Sequence, residues 1–137
     1  MTCYVMDACA MLALIRDEEG ADMVADILNA ANCNKAKIIM HKANLLEVYY
    51  DLLRTFGKEK ADAVIIEIKK RPIEINPEIT DEIFTEAGRL KARHRISFAD
   101  SFALAQTKVS GGTLLTSDHH EFDEIEQKEA ISIAWIR

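Results

Sequence analysis

The chain has 137 residues, 49% of them hydrophobic, with three cysteines and a formal net charge of −6. That length suits one domain over residues 1–137, apolar enough to build a core without disulfide or metal staples. The negative balance excludes a protein that coats nucleic acid through bulk electrostatics, because phosphate neutralisation needs clustered Lys and Arg. Cys3, Cys9 and Cys33 have no C-x-x-C spacing, and their odd number predicts free thiols in a reducing compartment, the cytoplasm. No apolar run reaches the roughly 18 residues that span a bilayer, and the N-terminus has no export signal, so neither secretion nor membrane insertion is expected.

Taken in chain order, residues 3–6 are suited to a strand and Ala8 to Ile15 to a helix, with Asp7 at the junction. A second helix is predicted over residues 19–31 and a buried strand over Lys37–Met40. "KANLLEVYYDLLRTF" then spaces Asn44, Glu47, Asp51, Arg54 and Thr55 as one helical stripe, which Gly57 ends. Another helix fits residues 58–70, and Pro72 and Pro77 bracket an extended segment. Thr80 is placed to cap a helix that ends near His94. A further helix starts around Ser97 and stops at Gly111-Gly112. "TLLT" reads as a strand, residues 119–125 as a short helical turn, and "ISIAW" as a last strand. This alternation predicts an α/β fold with a mostly parallel central sheet, whose ligands bind outside the carboxyl ends of the strands.

Four carboxylates lie near such positions, and each has an ordinary local role. Asp7 suits an N-cap, Asp100 completes the capping box Ser97-Phe98-Ala99-Asp100, Glu47 belongs to a polar helical stripe, and Asp118 follows a strand where turns commonly use Asp. As a set they mean more. Carboxylates that converge repel one another, which raises some pKa values and destabilises the fold unless a cation binds among them. Oxygen-only ligands favour Mg²⁺ or Mn²⁺ over zinc.

At these residues the sequence resembles a known family. "VMDACAML" with Asp7, "NLLEVYYDLL" with Glu47, "SFADSFALA" with Asp100 and "LLTSDHHEFDEI" with Asp118 look like the four acidic motifs of PIN-domain ribonucleases. The likeness covers essentially the whole chain and is closest to the VapC-type toxins of toxin–antitoxin pairs, which often carry a T-x-D-x-x-x-F stretch, here Thr116 to Phe122. It implies a three-layer α/β/α sandwich in which Asp7, Glu47, Asp100 and Asp118 hold one or two Mg²⁺ or Mn²⁺ ions, with Asn44 and Thr116 as polar neighbours. The implied activity is endonucleolytic hydrolysis of RNA by metal-activated water, and the implied partners are an RNA substrate, a cognate antitoxin and a second copy in a homodimer. Cys9 is a departure, because the family usually has Ser or Thr two residues after the first Asp. A thiol is the weaker hydrogen-bond partner.

Other residues invite a role. Arg89, Lys91, Arg93, His94 and Arg95 fall within seven residues, so Arg89, Arg93 and Arg95 are candidates for contact with RNA phosphate, the alternative being a solvated helix surface. Asp123, one turn beyond His119, is a candidate outer metal ligand, whereas the adjacent His119 and His120 diverge and suit the surface. The helix after residue 43 is apolar over most of its circumference, which predicts either deep burial or a seam for a second copy or an antitoxin. Two rival functions are a PIN-like interaction module without turnover and a metal-dependent phosphatase. The second usually wants D-x-D, and position 9 is Cys.

Overall fold

In the computed structural model, which describes residues 1–137, strands and helices alternate as the periodicity predicts. Strand β1 (Thr2–Met6) leads into α1 (Ala8–Ile15) and α2 (Ala21–Asn32), and β2 (Ala36–His41) into α3 (Lys42–Phe56) and α4 (Lys58–Lys69). Then come β3 (Glu74–Asn76), α5 (Asp81–Arg93), α6 (Phe98–Ser110), β4 (Thr113–Thr116), α7 (His119–Lys128) and β5 (Ile133–Trp135). The five strands form one sheet in the order β3-β2-β1-β4-β5, and every pairing is parallel.

Side-chain alternation divides the core between two faces. Met6 and Leu115, opposite each other on β1 and β4, join the larger apolar cluster with Met11, Val24, Leu28, Val48, Leu52 and Ile68 of α1–α4. Their neighbours Val5 and Leu114 join the smaller cluster on the other face, with Leu90 of α5, Leu104 of α6, and Phe122 and Ile125 of α7. The result is a three-layer α/β/α sandwich.

The strand order decides where a site can form. From β1 the chain winds through β2 to β3, returns to pair β4 on the other side of β1, and continues outward to β5. The order reverses between β1 and β4. At such a reversal the connections leave the carboxyl ends of two adjacent strands in opposite directions, and a crevice opens between them.

Most helix starts follow from short polar side chains: Asp7, Thr80, Ser97 and Asp118 each accept the amide hydrogen three residues on. The start of α3 has a different device. His41, 2% exposed, accepts the Ala43 amide at Nδ1 (3.0 Å) and donates from Nε2 to the Glu78 carbonyl (2.9 Å). The helix predicted over 119–125 runs on to Lys128, because Phe122 and Ile125, one turn apart, are both enclosed in the core. The segment between the two prolines supplies β3, an edge strand where Pro costs no ladder bond.

Gly20 precedes α2 with φ +98°, and a Cβ there would lie 2.7 Å from the Ile136 carbonyl oxygen. Gly20→Ala is expected to cost about 1–3 kcal/mol of stability through strain at positive φ and displacement of the chain after β5. Urea denaturation with an unchanged m-value checks this.

Candidate metal centre

Asp7 leaves the carboxyl end of β1 and caps α1, its Oδ1 accepting the Ala10 amide at 2.9 Å. The side chain is 1% exposed. Burial pushes its pKa up to about 7; hydrogen bonds from the Thr116 hydroxyl and the Ala10 amide oppose the shift, and the charges of Asp100 and Glu47 add to it. Thr116, the last residue of β4, is itself fully buried and accepts the Asp118 amide at 3.0 Å. One hydroxyl therefore spaces the two strand-end acids on either side of the reversal.

Asp100 comes from the opposite layer. Its amide is held by Ser97 Oγ at 3.1 Å in the predicted capping box, and its carboxylate is 8% exposed. Burial raises its pKa to about 7 against the hydrogen bond from Ser97, with further upward pressure from Glu47, Asp118 and Glu121. Glu47, half-buried on α3, is raised by burial and then by Asp118 and Asp51. Acids predicted from four separate segments thus lie within one another's field. Fully buried Asn44, one turn before Glu47, donates from Nδ2 to the Ala99 carbonyl at 3.0 Å and ties α3 to the start of α6.

Cys9, half-buried on α1, feels every one of these acids. Burial comes first, followed by Asp7, Asp118, Asp100 and Glu47, and all of them raise its pKa. Burial and these charges favour the neutral thiol, the less nucleophilic form, in the metal-free protein.

A further acid belongs to the group. Oxygens of Asp100, Asp118 and Glu121 all lie within 4.8 Å of one another. Glu121 Oε2 is buried without a hydrogen-bond partner, as is Asn44 Oδ1. Asp118 caps α7, and its Oδ1 accepts the Glu121 amide at 3.1 Å. The D-x-x-E spacing of a capping box could have revealed Glu121 in the sequence. Asp123 is placed differently from expectation. It is exposed and bonded to His119 Nδ1 at 2.8 Å, and His119 stacks on Trp135 with ring centroids 3.9 Å apart. On a helix, residues 121 and 123 point about 200° apart, so only one can face the acids.

The arrangement fits a hard divalent cation. Every ligand on offer is an oxygen, one buried carboxylate oxygen has no partner, and two acids are pushed to about 7 by burial and mutual repulsion. The three carboxylates are close enough for one oxygen of each to reach a single Mg²⁺, with Mg–O bonds of about 2.1 Å, after small side-chain adjustment. Glu121→Gln is expected to weaken Mn²⁺ binding about tenfold, and Asp123→Asn to leave it unchanged, by calorimetric titration.

The basic cluster separates into two kinds of residue. Arg89 is consumed by structure: it bonds Glu86 through Nε at 3.0 Å and Glu129 through Nη2 at 2.8 Å. Glu129 also takes His94 (2.7 Å) and Lys108 (3.3 Å), and this set, led by Arg89, holds its carboxylate down at about 2. The expected phosphate contact from Arg89 is therefore corrected, its charge being neutralised where α5, α6 and the end of α7 meet. Arg93 and Arg95 are exposed, have no ion-pair partner, and line a cleft of about 460 Å³ together with His120 and Glu121.

The family model of the PIN domain matches residues 4–128. The chain belongs to the PIN domain family. It is similar to solved structures at low identity: a chain of VapBC2 from Rickettsia felis bound to a promoter DNA fragment (TM-score 0.77, 16% identity, covering 97% of this chain and 98% of that one). DNA-bound VapBC from Salmonella typhimurium gives 0.76 at 14% identity, covering 100% of both chains. VapC20 of Mycobacterium tuberculosis, described as a toxin that cleaves the sarcin-ricin loop, gives 0.58 at 19% identity, covering 81% of this chain and 86% of that one. No curated protein matches the sequence. No helix is long and apolar enough to cross a membrane.

Proposed function

We propose that this chain is a metal-dependent endoribonuclease and the toxin of a toxin–antitoxin pair. The observation that carries the reading is the meeting of Asp7, Glu47, Asp100 and Asp118, with Glu121, at the sheet's reversal point. Bound Mg²⁺ or Mn²⁺ supplies an activated water and Lewis-acid polarisation of a phosphodiester. The protein's own residues do the rest. Asp7 and Asp118, spaced by Thr116, and Asp100, fixed by Ser97, orient the cation on rigid helix starts, and Asn44 braces the helix that brings Glu47. Arg93 and Arg95 hold the backbone phosphate beside the acids.

A labelled RNA incubated with the purified chain and Mn²⁺ should be cut internally, and chelation should stop it. Absence of cleavage of every RNA tried, at any Mn²⁺ concentration, would favour the silent interaction module.

Likeness to VapBC complexes supports an antitoxin partner. So does α3: it buries Leu45, Val48 and Leu52 yet leaves Leu46 (61%) and Phe56 (45%) in solvent. Leu46 lines a groove with Ile65 and Ile66 of α4, a surface that suits an apolar segment of a partner. Exposed Phe84 (72%) on α5 supports a homodimer, which sedimentation of the wild type and Phe84→Ser would test.

A further inference from the structure

Two clefts reach the acids. One is the Arg93–Arg95 cleft, which shares Glu121 with them. The other, about 350 Å³ between α1 and α3, shares Glu47 and Cys9 and is lined by Tyr50, Asp51 and Arg54. Each cleft therefore reaches a different member of the same acidic group.

Residues 47, 50, 51 and 54 form one stripe of α3. Arg54 is about 10 Å beyond Glu47 along the helix axis, with Tyr50 between them. Charge in this cleft is not balanced as the composition suggests. Asp51 is already paired, its Oδ1 accepting from Arg16 across the cleft at 2.9 Å, whereas Arg54 is exposed and has no acidic partner. Tyr50 is 46% exposed, whereas the hydroxyl of its neighbour Tyr49 is taken up by Asp62. An open aromatic face beside a free guanidinium is the combination that stacks a base and holds its phosphate, and stacking requires a base outside a duplex.

We propose that a single-stranded RNA segment crosses the acids from one cleft to the other, with Tyr50 stacking a base and Arg54 holding a phosphate on the α3 side. This rests on the nuclease reading above, and it adds a second backbone contact and a base-stacking residue, both on α3. Arg93 and Arg95 hold the strand on one side of the scissile phosphate and Arg54 on the other, so the acids receive a strand pinned at both ends.

The test uses the full chain carrying Asp7→Asn, to prevent cleavage, and a short fluorescent RNA without self-complementarity, offered alone or annealed to its complement. Tyr50→Ala and Arg54→Ala are each expected to weaken single-strand binding about tenfold, while Tyr50→Phe stays within about twofold. Arg54→Ala should lower the slope of log affinity against log salt by about 0.7, and Tyr50→Ala should leave that slope unchanged. Parent-like affinity in both alanine variants overturns the proposal, as does an equal loss for single-stranded and duplex RNA. If the wild type with Mn²⁺ still cleaves RNA in that case, only the path across the α3 cleft is lost. If the wild type neither binds nor cleaves any RNA, the nuclease reading falls with it.

Discussion

Asp7→Asn is expected to lower RNA cleavage by roughly a hundredfold or more and, at pH 8 without metal, to raise the melting temperature. The two effects have one cause. Asn keeps the size of the side chain and an oxygen for the Ala10 amide, so the cap on α1 survives. What disappears is a carboxylate with 1% exposure whose pKa is pushed up to about 7 by burial and by Asp100 and Glu47. Each tenfold loss of acidity relative to an exposed Asp makes ionisation in the folded chain costlier by about 1.4 kcal/mol, so relief of about 1–3 kcal/mol is expected after local relaxation. Were Asp7 present only to cap α1, Asn would serve equally well, so melting temperature and activity would both stay unchanged, and that pair of results would dismantle the proposed centre. Scanning calorimetry and a cleavage time course on the same preparation decide between them.

The metal-free protein is expected to lose stability as pH rises from about 4 to somewhat above 7, and Mg²⁺ or Mn²⁺ to restore it. In the folded chain Asp7 and Asp100 keep their protons to about 7, whereas in the unfolded chain they release them near 4. Between those limits the native state binds more protons, so the free energy of unfolding falls with increasing pH. Glu129, held at about 2 by Arg89, His94 and Lys108, works in the other direction, but its contribution is lost only on acidification below the window. His119, raised by the Arg137 carbonyl and Asp123, runs the same way as the two aspartates from an exposed position. Asp7→Asn separates the contributions, since it should flatten the curve and leave the His119 part in place. Metal ions compete with protons for the same oxygens, so the gain in melting temperature from Mn²⁺ should be clearly larger at pH 8 than at pH 5. An equal gain at both values would mean that the ion binds elsewhere.

Much of this was legible in the residues because the signals are local. Asp7, Ser97, Thr80 and Asp118 cap the helices their spacing predicts, and Gly57 and Gly111 follow the last residues of α3 and α6. These ordinary roles and the proposed chemical one belong together. A side chain that caps a helix just beyond a strand is held at the mouth of the sheet, so the cap is the device that aims the acid. The family likeness rested on the order of such positions along the chain, and order survives where identity to solved structures is 14–19%.

What went unread depends on distance in sequence. Arg89 looked free because its neighbours Lys91, Arg93 and Arg95 are all basic, yet it pairs with Glu86 one turn back and with Glu129, which lies 40 residues away. Asp123 looked like the outer acid because it follows the first turn of α7, yet the rotation of that helix, set by burying Phe122 and Ile125, turns Glu121 inward and Asp123 toward His119. His41 carries no cap signature of its own and caps α3 only because the Glu78 carbonyl holds its ring.

The amino-acid sequence by itself determined the alternation of strands and helices, the helix starts that carry the acids, and membership of the PIN family, because periodicity, capping and motif order act between residues a few positions apart. Tertiary structure alone decided which face of α7 meets the acids, which arginines are left free, and that two clefts open at the cluster. Those depend on charges and surfaces brought together from remote parts of the chain, and no local pattern encodes them.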